Sequence, residues 1–457
     1  LLTDKRAAAC EARVAARLRQ RNAAERRFRA LGLGAVLLSA LVLAFLLISM
    51  TSSGIGGFQR TELVFPIDFR SAPIQVDARR LAQPDPQGGL ELAGLPEAVT
   101  RAAEQSLGAD GAIELSDTAW REGWVAPIKP RVERSESIGI IGAGPAGLAA
   151  AERLRTRGYR VTVYDRHDRI GGLLIYGIPN FKLEKEVVER RTQRLIDGGV
   201  KFELNCNVGE DVSFDELRQR HDAVLIATGV YKAKPLNAPN DRAVIPALDF
   251  LIAANRVGLG DEVPDFTNGK LNAKDRRVVV IGGGDTAMDC VRTARRQGAA
   301  SVTCLYRRDK PNMPGSQREV NHAEEEGVTF YWLAAPKSVR AGKSPAVKAV
   351  RMQLGPPDES GRQSPQEKPD SAYEVPGDLI IAALGFDAED VSVWAETTRW
   401  GTVKADPITY ATNEPGVYAA GDIVRGASLV VWAIREGRDA ADAMHAYIQA
   451  QAKVAAQ

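Results

Sequence analysis

The sequence predicts an α/β fold of two parallel-sheet units, with one transmembrane helix ahead of them. Three observations carry this. A strand, glycine turn, helix and second strand follow one another over 138–165. The same order returns roughly 140 residues later. A run of twenty residues without a charge occupies 31–50.

Residues 1–30 form a basic N-terminal segment with nine Lys or Arg and few acids. Leu31 to Met50 reads LGLGAVLLSALVLAFLLISM. At 1.5 Å per residue a helix of this length spans roughly 30 Å, the hydrocarbon thickness of a bilayer. The apolar stretch of a signal peptide is shorter, roughly 7–15 residues. The basic flank RNAAERRFRA also sets the stretch apart from a buried helix. We expect a membrane span with its basic flank held in the cytoplasm. Residues 51–111 follow as a linker or extracytoplasmic-like segment. SSGIGG reads as a flexible exit, TELVFPIDF alternates like a strand, and QPDPQGGLELAGLP reads as turns. Residues 112–135 lead into the α/β part.

Charge is nearly balanced, 60 basic against 58 acidic side chains. Nothing in that balance calls for nucleic acid as a partner. Cys10, Cys206, Cys290 and Cys304 are scattered with no CxxC, which argues against a disulfide framework, a dithiol redox motif and an iron–sulfur centre within this chain. The four histidines are also dispersed, so no metal site is expected.

The first unit is IGIIGAGPAGLAAAERLRTRGYRVTVYD. Gly142 allows a tight turn out of the strand, Gly144 lets the backbone approach a pyrophosphate, and Gly147 lets helix and strand pack closely. Phosphates then meet free N–H groups at the helix N-terminus. Asp165 closes the second strand at the spacing where an acid accepts hydrogen bonds from a ribose hydroxyl. The unit is thus expected to be a Rossmann-like dinucleotide site.

The second unit, RRVVVIGGGDTAMDCVRTARRQGAASVTCLYRR, carries Gly282, Gly283, Gly284, Asp285 and Thr286, with Ala287 in place of the third glycine. Where an NAD site wants an acid, this chain has Tyr306 followed by Arg307 and Arg308. Guanidinium forks match a phosphate in geometry and charge, so this end is expected to accept the 2′-phosphate of NADP. Cys290 and Cys304 lie within the unit and read as small core residues.

GAGPAGL, GGLLIYGIPNFKL, LIATGVYK, IGGGDTAMDC, YRRDKPNMPGSQREVNHAEEEGV, ALGF and PGVYAAGDIVRGASLVVWAIREGRDAA together closely resemble the small (beta) subunit of NADPH-dependent glutamate synthase. The resemblance runs from about residue 112 to the C-terminus. It implies an FAD-binding domain in two parts, 136–245 and 379–457, with an NADPH-binding domain inserted at 246–378. Gly142, Gly144, Pro145, Ala146, Gly147 and Asp165 would hold the ADP half of FAD. Gly171, Gly172 and Leu173 would lie close to the flavin, bordered by Thr228 and Gly229. Gly421 and Asp422 would return from the second part, Asp422 bonding the ribityl or phosphate portion. Ser428, Leu429 and Val430 would begin a helix whose N-terminus faces the isoalloxazine ring, where the helix dipole favours the charge of reduced flavin. Gly282 to Thr286, Arg307 and Arg308 would bind NADPH. Hydride would pass from nicotinamide to flavin with no catalytic acid or base.

The family's cysteine-rich N-terminal domain, a source of iron–sulfur ligands, is missing from this sequence. The implied partner is the glutamate synthase large subunit, which would hold the glutaminase and 2-oxoglutarate sites. Two other readings stay open. One is a related flavoprotein that passes electrons to ferredoxin or another acceptor, and the other is an inactive membrane-anchored chimera. RNAAERRFRALGLGAVLLSALVLAFLLISMTSSG with FQRTEL is similar to the start of a phosphate-transport permease subunit. The span implies association with the inner membrane through 31–50, whereas NADPH chemistry implies a cytoplasmic flavoprotein part. That conflict, with a first residue that is Leu rather than Met, favours a composite reading frame over a natural tethered reductase.

Overall fold

The computed structural model describes residues 120–455 apart from 122, 124, 343 and 358–362. The chain divides into two units at Val125 and Ala126, and the second, Ala126–Gln457, carries both sheets.

The first sheet starts with β1 (Ser137–Ile141), whose Ile138 and Ile140 are fully buried. Helix α1 (Pro145–Thr156) crosses over to β2 (Arg160–Tyr164). The short α2 (Leu173–Tyr176) and then α3 (Lys185–Asp197) lead to β3 (Lys201–Glu203). Helix α4 (Phe214–Arg220) leads to β4 (Ala223–Ile226). Its start is specified locally: the Ser213 hydroxyl accepts the Glu216 amide at 3.1 Å, and Asp215 and Glu216 sit at the positive end of the helix dipole. The sheet is completed by β16 (Val417–Ala419), giving the parallel order β16-β4-β1-β2-β3. Strands buried on both faces read as continuous apolar runs, as AVLI of β4 does.

Between β4 and β16 the chain builds a second sheet on the same plan. β5 (Lys232–Ala233) leaves the first sheet and pairs antiparallel with β15 (Phe386–Asp387), which returns. In between come β6 (Ile245–Pro246), α5 (Ala247–Gly258), β7 (Arg277–Ile281), α6 (Asp285–Arg296) and β8 (Ser301–Tyr306). Helix α7 (Gln317–Glu325) and β9 (Thr329–Trp332) follow. An antiparallel sheet of β10 (Ala334–Arg340), β11 (Ala346–Pro357), β12 (Gln363–Glu367) and β13 (Tyr373–Pro376) then precedes β14 (Leu379–Ala382). The parallel order is β6-β14-β7-β8-β9, with β7 central as β1 is in the first sheet.

Because β14 pairs with β7 from Leu379 to Ala382, the expected boundary at 378/379 falls one strand too early. The chain ends with α8 (Asp422–Arg425) and the long α9 (Val430–Ala455). Helix α9 lies against α1 so closely that a Cβ on Gly437 would come within 2.2 Å of the Ala146 carbonyl oxygen.

The expected transmembrane helix requires correction. Among the described residues no helix is long and apolar enough to cross a membrane. The longest, α9, carries Arg435, Glu436, Arg438, Asp439 and Asp442 and is an amphipathic packing helix. The stretch 31–50 itself lies outside the described residues. Membrane association through 31–50 and an inner-membrane location rested on that stretch alone, and both are withdrawn with it.

Candidate functional site

The first glycine turn has the shape of an anion cradle. Gly142 leaves β1 at φ +110°, and a Cβ there would sit 2.3 Å from the Ala227 carbonyl oxygen. Gly147 has its own reason, since a Cβ would lie 1.9 Å from the Gly142 carbonyl. Gly144 differs: a Cβ there would meet nothing within 4 Å, so the space above it is open. It caps α1 with no side-chain hydrogen bond, Pro145 opens the helix, and the first turn holds no acid. The first N–H groups of α1 are thus left for a negatively charged ligand.

Gly171 donates its amide to the Ala143 carbonyl at 3.0 Å, and a Cβ on Gly172 would come within 2.9 Å of the Gly144 Cα. Both glycines brace the turn from behind. Asp165 does so from the side. One carboxylate oxygen accepts the Ala143 amide at 2.7 Å; the other accepts the His167 amide at 2.9 Å and pairs with its ring Nδ1 at 2.8 Å. Burial alone would raise its pKa, but the bonds from His167 and Ala143 outweigh it and hold the carboxyl below the ordinary value.

The second turn repeats the plan. Gly282 stands at φ +152°, with a would-be Cβ 2.2 Å from the Ala383 carbonyl oxygen, and Gly284 again faces open space. Gly283 is forced by Tyr306, whose ring would lie 2.2 Å from a Cβ. The Tyr306 hydroxyl donates to the Asn312 carbonyl at 2.9 Å. The loop between β8 and α7 closes over the turn, the Gly315 amide donating to Gly283 O at 2.9 Å and the Ser316 amide to Asp285 Oδ1 at 3.0 Å. Arg307 is exposed and Arg308 half-buried; neither has an ion-pair partner among the described residues, and Arg308 Nε is buried without a hydrogen bond. Cys290 and Cys304 are fully buried, and burial pushes the Cys304 thiol up to about 12.

A cleft of about 450 Å³ runs from the first turn to the start of α6. Gly142, Gly144, Pro145, Ala146, Asp165 and Leu173 line it from the first unit, with Thr228 and Gly229 from the turn after β4. Asp285 and Thr286 line it from the second unit, and Asp422, Ser428, Leu429 and Val430 from the C-terminal part. A second cleft, about 340 Å³, shares Gly142, Asp165, Thr228 and Tyr231 with the first and runs on past Cys206, Asn207 and Trp394. Thr228 lines both clefts, and its Oγ1 is buried without a hydrogen-bond partner. Gly147, Gly171, Gly172, Gly421, Gly282, Gly283, Gly284, Arg307 and Arg308 line neither cleft.

Gly421 is held by a residue the sequence did not single out. Glu436, 4% exposed, accepts the Gly421 amide at 3.1 Å and pairs with Arg425. Asp422 beside it accepts the Ser428 hydroxyl at 2.8 Å, while burial raises its pKa. Tyr231 also went unnoticed; its ring stacks near His167 and under Arg166, and burial pushes its pKa up. Glu436 and Tyr231 belong to no glycine motif, so spacing gave no signal for them.

A family model for pyridine nucleotide-disulphide oxidoreductase matches residues 136–437. A putative glutamate synthase [NADPH] small chain of Cereibacter sphaeroides is 61% identical over 359 residues, 76% of this chain and 86% of the relative. The chain belongs to this family, with the glutamate synthase small chains. The glutamate synthase [NADPH] small chain of Azospirillum brasilense is 58% identical over 353 residues, 75% of this chain and 73% of its own length. The fold is also that of FprA from Mycobacterium tuberculosis, solved in complex with NADPH, at a TM-score of 0.61 and 20% identity over 70% of this chain and 86% of that one. The chain is an FAD- and NADPH-dependent oxidoreductase resembling the glutamate synthase small subunit. A second family model, a domain of unknown function (DUF3333), matches residues 15–121. It names no permease, and the readings of a permease segment and a chimera have no support in it.

Proposed function

We propose that the first glycine turn, with Asp165, Leu173, Thr228, Gly229 and the Gly421–Val430 segment, holds FAD, and that the second turn, with Arg307 and Arg308, holds NADPH. One observation carries this reading: a single cleft is lined by helix starts from both nucleotide units and by Thr228, whose Oγ1 is buried without a hydrogen-bond partner. Gly144 and Gly284 offer open space over uncapped helix N-termini, which fits a pyrophosphate at each. Arg307 and Arg308, without ion-pair partners among the described residues, fit the 2′-phosphate.

When bound, the two cofactors supply hydride chemistry between nicotinamide and flavin. The chain's own residues bind and orient. Val430, where α9 starts, lines the cleft, and the positive end of the helix dipole there would favour negative charge. Asp165 keeps the loop above α1 in shape, and Glu436 does the same for Gly421.

On this reading the FAD-binding part comprises 136–245 and the chain after β14, with the NADPH-binding part between them. The division near 112–135 is supported by the two family matches, which end and begin at 121 and 136. The relatives are named as small chains, which supports a glutamate synthase large chain as the electron acceptor.

The test is the visible spectrum of the purified full chain before and after anaerobic NADPH. A flavin spectrum that NADPH bleaches is expected. Folded protein with no flavin, or flavin that NADPH leaves oxidised, would overturn the reading.

A further inference from the structure

The segment from Gly177 to Leu183, between α2 and α3, reaches from the first nucleotide unit onto the second. Lys182 Nζ lies 2.8 Å from Asp289 Oδ1 on α6 and 3.5 Å from Glu319 Oε2 on α7. Glu319 is bound in turn by Arg292 at 2.5 Å, and Arg292 reaches Glu326 at 2.8 Å. The Phe181 ring lies under Arg296 at 3.8 Å and Arg292 at 4.8 Å. The segment is also tied down at its root. Lys185 Nζ donates to the Leu174 carbonyl at 3.1 Å and to the Ile178 carbonyl, and the Asn180 side chain accepts the Lys185 amide at 3.2 Å.

These are not ordinary surface ion pairs, which contribute little. Asp289 is 8% exposed and Arg292 7%, so losing one partner leaves a buried charge uncompensated. Lys182 and Asp289 also line the same cleft as Leu173, Thr228, Asp285 and Thr286. The contact between the units therefore lies beside the place where their ligands would meet.

We propose that Phe181 and Lys182 form a latch that aligns the second nucleotide unit with the flavin cleft, which makes Lys182 a positioning residue for hydride transfer. This rests on the cofactor assignment above. One unit carries the donor and the other the acceptor, and reacting atoms must approach to about 3–3.5 Å. A misplacement of about 1 Å costs on the order of 10²-fold in rate. A second set of contacts, Asn255 Nδ2 to Tyr176 O at 2.8 Å and Arg169 to Asp261 at 2.6 Å, keeps the units tethered when the latch is broken. Breaking it should change alignment, not assembly.

The experiment is anaerobic stopped-flow reduction of the flavin in the full chain carrying Lys182→Met. The rate at saturating NADPH should fall about 10- to 100-fold. Flavin content and NADP+ affinity by equilibrium dialysis should stay near those of the unmutated chain, while the thermal midpoint falls because Asp289 loses its partner. Hydrogen exchange across 177–183 and α6 should rise in K182M, and Lys182→Arg should recover most of the rate. A K182M rate equal to that of the unmutated chain would overturn the latch, as would a loss of NADP+ affinity that accounts for the whole effect. Should K182M not retain flavin, Phe181→Leu, which keeps the ion pair, decides by the same rate and exchange measurements: both altered supports the latch, both unchanged overturns it. Flavin in the unmutated chain that NADPH cannot bleach would instead overturn the cofactor assignment beneath it.

Discussion

Arg307 and Arg308 stand at the end of β8 without ion-pair partners among the described residues, and Arg308 keeps a buried Nε unbonded. A hydrogen bond to a charged group contributes about 1.5–3 kcal/mol. Replacing both arginines by Ala should therefore weaken NADPH by about 10²- to 10⁴-fold and leave NADH nearly unchanged. Equal losses in a titration with both nucleotides would remove their role in reading the 2′-phosphate. Asp165 offers a pH test. Its folded pKa lies below the ordinary 3.8, so the stability it contributes is full above that value and is lost as pH falls below it. Flavin release on acidification below about pH 4 should track this carboxylate, and Asp165→Asn should flatten that limb of the profile. Fluorescence of released flavin against pH reads both. Glycine spacing made Gly142, Gly144 and Gly282 legible in the sequence because it encodes backbone shape. Glu436 and Tyr231 were not legible, since only the fold brings them to Gly421 and to the cleft.

Two helices make the next scale testable. Helix α9 lies against α1 through Gly437, where a Cβ would meet the Ala146 carbonyl oxygen at 2.2 Å. Backbone cannot yield as a flexible side chain can, so Gly437→Ala should cost about 1–3 kcal/mol and loosen the helix that starts the first cradle. Thermal unfolding with and without added FAD reads it. Gly258, in the last turn of α5 with nothing within 4 Å of a would-be Cβ, provides the contrast. Gly258→Ala should be neutral or stabilise by up to about 1 kcal/mol. The strand–helix–strand pattern of each unit was readable because apolar runs alternate with amphipathic helices. The end of the second unit was not. LIIA of β14 is an apolar run that either sheet could take, and only its pairing with β7 assigns it.

Among the described residues, the two parallel sheets share one plan, and the whole of the second is inserted before the last strand of the first. The second sheet is complete once β14 has been made, whereas the first waits for β16. The late arrival of β16 has a consequence for biosynthesis. On the ribosome the nascent chain can close its second sheet while its first still lacks an edge strand and the Gly421 turn. Joining β16 to β4 across the inserted unit also makes that pairing a slow, non-local step. Flavin should therefore be captured last, after release of the finished polypeptide. Pulse-labelled chains should gain protease resistance in the second sheet before they retain the yellow cofactor.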